Sequence, residues 1–180
     1  MRETGELHTL LSRAGVAPPY VLVGHSYGGD LTRLYAARFP QGVVGLVLVE
    51  AANEDQWWKI PEARTAWDEY LRECRKKPKD GPATCGEAAA ILDQGPAELR
   101  PIRSLGSLPL IVVSAGKSFW GKAATWAAWQ AMQASDSALS SCSDRVIATK
   151  SQHEVEKDEP QIIVDQVERM LKAIRDFPSV

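Results

Sequence analysis

One serine stands in a setting that suits nucleophilic catalysis. Gly24-His25-Ser26-Tyr27-Gly28 matches the pattern G-x-S-x-G, with a short apolar run before it and a helical pattern after it. This context predicts that Ser26 sits on a sharp turn between a strand and a helix, with flanking glycines because the two elements approach closely. The turn would lift the Ser26 hydroxyl above the sheet edge, where the backbone N–H of Tyr27 faces a developing oxyanion at the positive end of the helix. The alternative is a structural turn or a degenerate site.

A serine hydroxyl becomes a good nucleophile only when a neighbouring base takes its proton, and the chain has three histidines that could be this base. His8 falls on an amphipathic helix and is most simply a surface residue. The side chain of His25 must diverge from that of Ser26 at the turn. His153 follows a strand and precedes a helix that begins near Pro160, so it is expected in a loop at the carboxyl end of the sheet, the same edge as Ser26. We therefore predict that His153 is the general base.

Alternating strands and helices must position these residues. Short apolar runs predict strands at 20–24, 43–49, 108–114 and 145–149, and helical spacing predicts helices at 3–14, 27–39 and 120–134 and one from about Glu159. This alternation predicts a single α/β domain over residues 1–180 with a mostly parallel sheet of about four strands. Residues 51–105 form a longer segment of helical character, which we interpret as a helical, cap-like insert because a plain crossover needs far fewer residues.

Two segments resemble a known family. Residues 19–50 resemble the nucleophile-elbow region of esterases and related serine hydrolases of the α/β-hydrolase superfamily, and residues 151–167 are similar to the segment that delivers their catalytic histidine. The resemblance covers most of the chain and weakens over 51–105. It implies the α/β-hydrolase fold, a Ser, acid, His order along the chain, and catalysis without a cofactor or a metal.

The resemblance implies two positions for the acid. The commoner one, a few residues after the third strand, falls on 114–120, which contains no carboxylate. The other is the end of the strand after the elbow, where Glu50 stands, with Glu54 and Asp55 as lesser candidates. We favour Glu50 over a purely structural role, and its task would be to orient His153 and stabilise the imidazolium.

The family also implies a function for the insert. In relatives an insert at this point is a cap whose aromatic residues line the substrate pocket, so we predict that Trp57 and Trp58 bind substrate, together with His25 at the elbow; Trp67 and Tyr70 are further candidates. Equally, tryptophans at helical spacing are often core residues that anchor the insert on the sheet.

Composition limits the partners. The 180 residues include 21 basic and 23 acidic side chains, a net charge of −2, which gives no single-signed field that would favour nucleic acid or a membrane surface. With no apolar stretch of membrane-spanning length and no apolar core of a signal peptide at the start, we predict a soluble cytoplasmic protein. The three cysteines lack the spacing of a zinc site; Cys74 and Cys85 bracket a short loop that either closes with a disulfide or keeps two free thiols.

The resemblance implies one further expectation. Complete relatives have several strands before the elbow and a segment there, often with a His-Gly pair, that supplies a second oxyanion donor; no such segment stands upstream of Gly24. We therefore expect an open strand edge at Val21–Val23 that favours a homo-oligomer or a partner chain. The leading hypothesis is a carboxylesterase-like serine hydrolase of small uncharged esters that forms an acyl-enzyme on Ser26. The alternative is a weakly active or inactive hydrolase module that acts in binding or assembly.

Overall fold

Four parallel strands form the centre of the molecule. A computed structural model describes residues 2–76, 85 and 94–176. The strands are β1 (Tyr20–His25), β2 (Val43–Val49), β3 (Leu110–Ala115) and β4 (Ser143–Ala148), and they lie side by side in the order β1-β2-β3-β4. Because all four run in parallel, their carboxyl ends meet at one edge of the sheet.

Helices connect the strands. They are α1 (Glu3–Arg13), α2 (Tyr27–Arg38), α3 (Gln56–Lys59), α4 (Pro61–Lys76), α5 (Gly95–Leu99), α6 (Ala123–Ser137), α7 (Val155–Asp158) and α8 (Pro160–Asp176). Within the described ranges, every helix is too short or too polar to cross a lipid bilayer.

The β2 strand explains the continuous apolar pattern of the sequence. Val47 and Val49 pack on one face of the sheet against Met170 of α8, whereas Leu46 and Leu48 pack on the other face. Because helices cover both faces, successive side chains are buried in opposite directions and no polar alternation appears.

The predicted α/β fold is confirmed, and the element ends differ slightly. The third strand begins at Leu110 because Pro109 has no N–H to donate, although the Pro109 carbonyl still accepts a bond from Leu46 N at 2.9 Å. The helix expected from Trp120 begins at Ala123, because a local turn comes first in which the Ser118 hydroxyl donates to the Trp120 carbonyl at 2.8 Å.

The segment interpreted as an insert contains helices joined by non-helical stretches, and its role as a cap stays a prediction. It contributes α3, α4 and α5, whereas residues 77–84 and 86–93 lie outside the described residues. Cys74 and Cys85 are joined by a disulfide, which resolves the alternative left open by the sequence.

Candidate active site

Ser26 occupies a strained turn at the carboxyl end of β1. Its backbone has φ 52° and ψ −123°, in the positive-φ region that non-glycine residues rarely adopt. Neighbouring segments fix this conformation, since Ser26 N donates to the Val49 carbonyl at 3.1 Å and the Ser26 carbonyl accepts from Ala52 N at 2.9 Å. Strain held in this way is typical of functional sites.

Close packing at the elbow requires glycine at two positions, the expected Gly24 and, in place of the expected Gly28, Gly29. A Cβ on Gly24 would lie under 3 Å from the Gly28 carbonyl and 2.6 Å from the Thr32 hydroxyl. A Cβ on Gly29 would collide with the Ala51 side chain, whereas one on Gly28 would meet nothing within 4 Å. The expectation that Gly28 must lack a side chain is therefore wrong, because Gly29 makes the close approach to the segment after β2.

His153 meets Ser26 at this edge. Its Nε2 lies 3.1 Å from Ser26 Oγ, although the two residues are 127 positions apart in the chain. The loop between β4 and α7 carries His153 to the carboxyl edge of the sheet, where the β1–α2 turn presents the serine. This distance allows a proton to pass from the hydroxyl to the imidazole.

Burial sets the charge of His153. Loss of hydration lowers the pKa of His153 from its ordinary 6.5 to about 4; the neighbouring His25 contributes to this, and Glu154 opposes it. The imidazole is therefore neutral around pH 7 and able to accept a proton. Its Nδ1 is buried and has no hydrogen-bond partner among the described residues.

Glu50 lies at the same edge but bonds to other groups. Its side chain is fully buried; Oε2 accepts from Ala115 N at 2.6 Å, and Oε1 accepts from the indole N–H of Trp129. Burial raises the pKa of Glu50, and these two donors oppose that rise. The expected hydrogen bond between Glu50 and His153 is absent from this arrangement, since His153 Nδ1 has no partner among the described residues; the acid role of Glu50 stays a prediction.

The lesser acid candidates also bond away from His153. Glu54 forms an ion pair with the buried guanidinium of Arg33 at 2.9 Å. Asp55 pairs with Lys59 at 3.0 Å and with Arg100 at 3.4 Å.

An aromatic cavity opens on Ser26 and His153. It has a volume of about 180 Å³. The remaining lining residues are mostly aromatic: Tyr27, Ala52, Gln56, Trp57, Ala63, Trp67, Phe119, Trp120 and Trp129.

Of the three residues predicted to bind substrate, one lines this cavity and two do not. Trp57 lines it and is buried. Trp58 points elsewhere, since it is 57% exposed and lies beneath the guanidinium of Arg100. His25 does not line the cavity either; it contacts His153 instead. Tyr27 lines the cavity and is the first residue of α2, at the positive end of that helix.

The sequence interpretation missed two residues beside the base. Phe119 lies 5.1 Å and Trp129 lies 6.4 Å from His153, measured between ring centroids. Trp129 lies on the alanine-rich helix α6. Its indole N–H was the available signal, because a buried tryptophan usually has a hydrogen-bond acceptor and Glu50 is a buried carboxylate.

Sequence comparison finds relatives of this chain. A family model described as the alpha/beta hydrolase fold matches residues 6–137. A protein of Bacillus subtilis (strain 168), named "Uncharacterized protein YqjL", is 33% identical over 164 residues. The match covers 90% of this chain and 60% of that protein, so the chain spans about three fifths of the length of its relative.

Solved structures have the same fold. An alpha/beta hydrolase enzyme, MGS-MChE2, from a sediment metagenome of the Mar Chica lagoon in Morocco, superposes with a TM-score of 0.60 at 15% identity and covers 97% of this chain and 69% of that one. A thermophilic esterase from Thermogutta terrifontis gives a TM-score of 0.57 at 16% identity, with 95% and 71% covered. At such identities the likeness concerns the fold.

Proposed function

The chain belongs to the alpha/beta hydrolase fold family, and we propose that it acts as a serine hydrolase on small uncharged esters. The observation that carries this proposal is the 3.1 Å distance between Ser26 Oγ and Nε2 of a neutral, half-buried His153. A strained serine at the tip of a strand, paired with a neutral imidazole, is the arrangement that acyl transfer requires.

The proposed reaction has two halves. As Ser26 Oγ attacks the ester carbonyl carbon, its proton passes to His153 Nε2, and the backbone N–H of Tyr27 donates to the oxyanion. The tetrahedral intermediate collapses when the bond to the alcohol oxygen breaks and His153 returns the proton to that oxygen. Water then attacks the acyl-enzyme with His153 again as base, which releases the carboxylic acid and restores Ser26.

The lining of the cavity supports the substrate class. Among the described lining residues none carries a charge at pH 7 once His153 is neutral, and most are aromatic. A charged acyl group would lose its hydration there without a partner, whereas a small apolar one would bury its surface. We therefore infer short, uncharged acyl groups.

The triad role of Glu50 remains a proposal with a condition. Glu50 accepts from Ala115 N and the Trp129 indole, and its triad role would require a further bond from His153 Nδ1, which has no partner among the described residues. In the arrangement described here, the proposed chemistry depends on the Ser26–His153 pair.

The direct test is covalent labelling. The protein is reacted with a fluorophosphonate probe and compared with Ser26→Ala and His153→Ala, with Ser12→Ala as a control for an exposed serine on α1. We expect labelling and short-chain aryl ester turnover in the unmodified protein and in Ser12→Ala, and neither above background in the other two. Labelling that persists in Ser26→Ala, or none in any protein, would refute the hydrolase proposal and favour the binding or assembly alternative.

The free edge of β1 supports a proposal on assembly. Within the described residues β1 pairs only with β2, and Val23 on this strand is 46% exposed. We propose that a second copy of the chain associates through this edge. Sedimentation of the protein should show a dimer that Val23→Lys weakens, whereas Val164→Lys, at a similarly exposed valine on α8, does not; a monomer at all concentrations would contradict the proposal.

Location in the cell stays a prediction. The sequence favoured the cytoplasm, whereas the disulfide between Cys74 and Cys85 is more typical of an oxidising compartment. Titration of free thiols in protein purified under non-reducing conditions distinguishes the two, since only Cys142 should react if the disulfide forms in the cell.

A further inference from the structure

The base is held without a carboxylate. His153 Nδ1 has no hydrogen-bond partner among the described residues, so the usual means of fixing the direction of a catalytic imidazole is missing from this arrangement. The ring of His153 contacts Phe119 and Trp129, but ring contacts allow sliding and rotation. A directional bond must therefore come from the loop backbone.

His25 makes such a bond. Its Nε2 lies 2.9 Å from the carbonyl oxygen of His153, and because a carbonyl oxygen only accepts, the proton must be on His25 Nε2. The bond joins the elbow turn to the loop between β4 and α7, across 128 positions of the chain. The two imidazole rings also lie 4.8 Å apart between centroids and tilted by 47°.

The rest of the loop is tied elsewhere. The side-chain amide of Gln152 donates to the Ser118 carbonyl at 3.1 Å, and Gln152 N donates to the Asp158 carboxylate at 3.0 Å. These bonds fix the residue before His153 relative to β3 and α7, but neither reaches the elbow. Among the hydrogen bonds of the described residues, the bond from His25 is the one that joins the backbone of His153 to the elbow, whereas the 3.1 Å contact with Ser26 Oγ involves the catalytic side chains themselves.

We propose that His25 is a positioning residue for the reaction: its Nε2–H ties the backbone of His153 to the elbow and so holds His153 Nε2 in line with Ser26 Oγ. This inference rests on the proposed function. It replaces the substrate-contacting role predicted for His25, whose side chain does not line the cavity.

Charge around His25 must be separated from the hydrogen bond. Its Nε2 lies 3.6 Å from a Glu156 carboxylate oxygen, and a protonated His25 disfavours the protonation of His153. Any neutral substitution of His25 removes both electrostatic effects. Two neutral variants, one with a hydrogen-bond donor and one without, therefore separate the bond from the charge.

The variants are His25→Gln and His25→Phe. The amide nitrogen of Gln extends about as far from the backbone as histidine Nε2 and can donate a hydrogen bond, whereas Phe keeps a flat ring without a donor. We expect His25→Phe to lower kcat by roughly 10- to 100-fold with little change in KM, as for a reacting group displaced by a fraction of an ångström to 1 Å. His25→Gln should restore most of kcat. Equal loss in both variants, or full kcat in His25→Phe, would overturn the proposal.

A readout independent of turnover completes the test. In protein with ¹⁵N-labelled histidine, NMR of the folded, unmodified chain should show His25 as the Nε2–H tautomer with a slowly exchanging proton. An Nδ1–H tautomer or rapid exchange would overturn the tether even if His25→Phe fails to fold. If the tether is present but no Ser26-dependent turnover is found, the proposed function fails while the bond itself stands.

Discussion

Opening the aromatic cavity should move the acid limb of the pH–rate profile. The pKa of His153 is lowered to about 4 mainly because the ring is shielded from water, and Phe119 provides part of that shield with its ring 5.1 Å away. In kcat/KM, the acid limb reports protonation of the base in the free enzyme. We therefore expect an acid limb near pH 4 in the unmodified protein and a limb nearer pH 6.5 in Phe119→Ala, where water reaches the imidazole.

The expected difference is large at pH 5. With a pKa of about 4, about 90% of His153 is neutral at that pH, whereas with the ordinary value of 6.5 only about 3% is neutral. Relative to the plateau at pH 8, kcat/KM at pH 5 should therefore fall by up to about thirtyfold more in the variant than in the unmodified protein.

The assay uses an uncharged aryl ester, so that the substrate has no ionisation in this range. Ser26→Ala supplies the background rate at each pH, and circular dichroism confirms that each protein remains folded at pH 4 to 5. Trp58→Ala is the matched control because it removes an exposed aromatic ring outside the cavity, and its acid limb should stay near pH 4. An acid limb at pH 6.5 or above in the unmodified protein would refute the reasoning, and would indicate a carboxylate on His153 Nδ1.

Three further predictions follow from the packing around the elbow. Gly24→Ala should abolish fluorophosphonate labelling because its Cβ would strike the Gly28 carbonyl, whereas Gly28→Ala should label normally. Burial raises the pKa of Asp30 from 3.8 to about 8, so Asp30 loses its proton at a lower pH in the unfolded chain than in the folded one. The free energy of unfolding should therefore fall as the pH rises from about 4 to 8. Urea denaturation at pH 5 and pH 8 should show a smaller fall in Asp30→Asn than in the unmodified protein. Trp57→Leu should raise kcat/KM for hexanoyl relative to acetyl esters, and Trp58→Leu should not.

Local sequence patterns predicted the elements that carry the chemistry. The apolar runs of β1 and β2 and the turn motif at Ser26 depend on neighbours in the chain, so their positions could be inferred within about two residues. His153 could be placed because the carboxyl ends of parallel strands share one edge. These inferences need only the order of the elements.

The hydrogen-bond partners of Glu50 could not be predicted in this way. They depend on how α6 is rotated against the sheet, which decides that Trp129 points its indole N–H at a residue 79 positions earlier. The spacing of Trp126 and Trp129 indicates one helix face but not its target. In the same way, the crowding at Gly29 depends on Ala51, which arrives from the segment after β2.

Backbone strain and hydrogen bonds together fix Glu50 beside the elbow. Among the described residues, Ser26 and Glu50 are the non-glycine residues with positive φ, at 52° and 41°, and they end neighbouring strands. Both oxygens of Glu50 accept hydrogen bonds from N–H donors, which offset part of the rise that burial causes in the pKa of this carboxyl group. A hydrogen bond contributes about 0.5–1.5 kcal/mol to a neutral group and about 1.5–3 kcal/mol to a charged one, so these two donors hold the Glu50 side chain in place in either protonation state. A fixed Glu50 holds Trp129 against the cavity, and the direction of the base is left to His25.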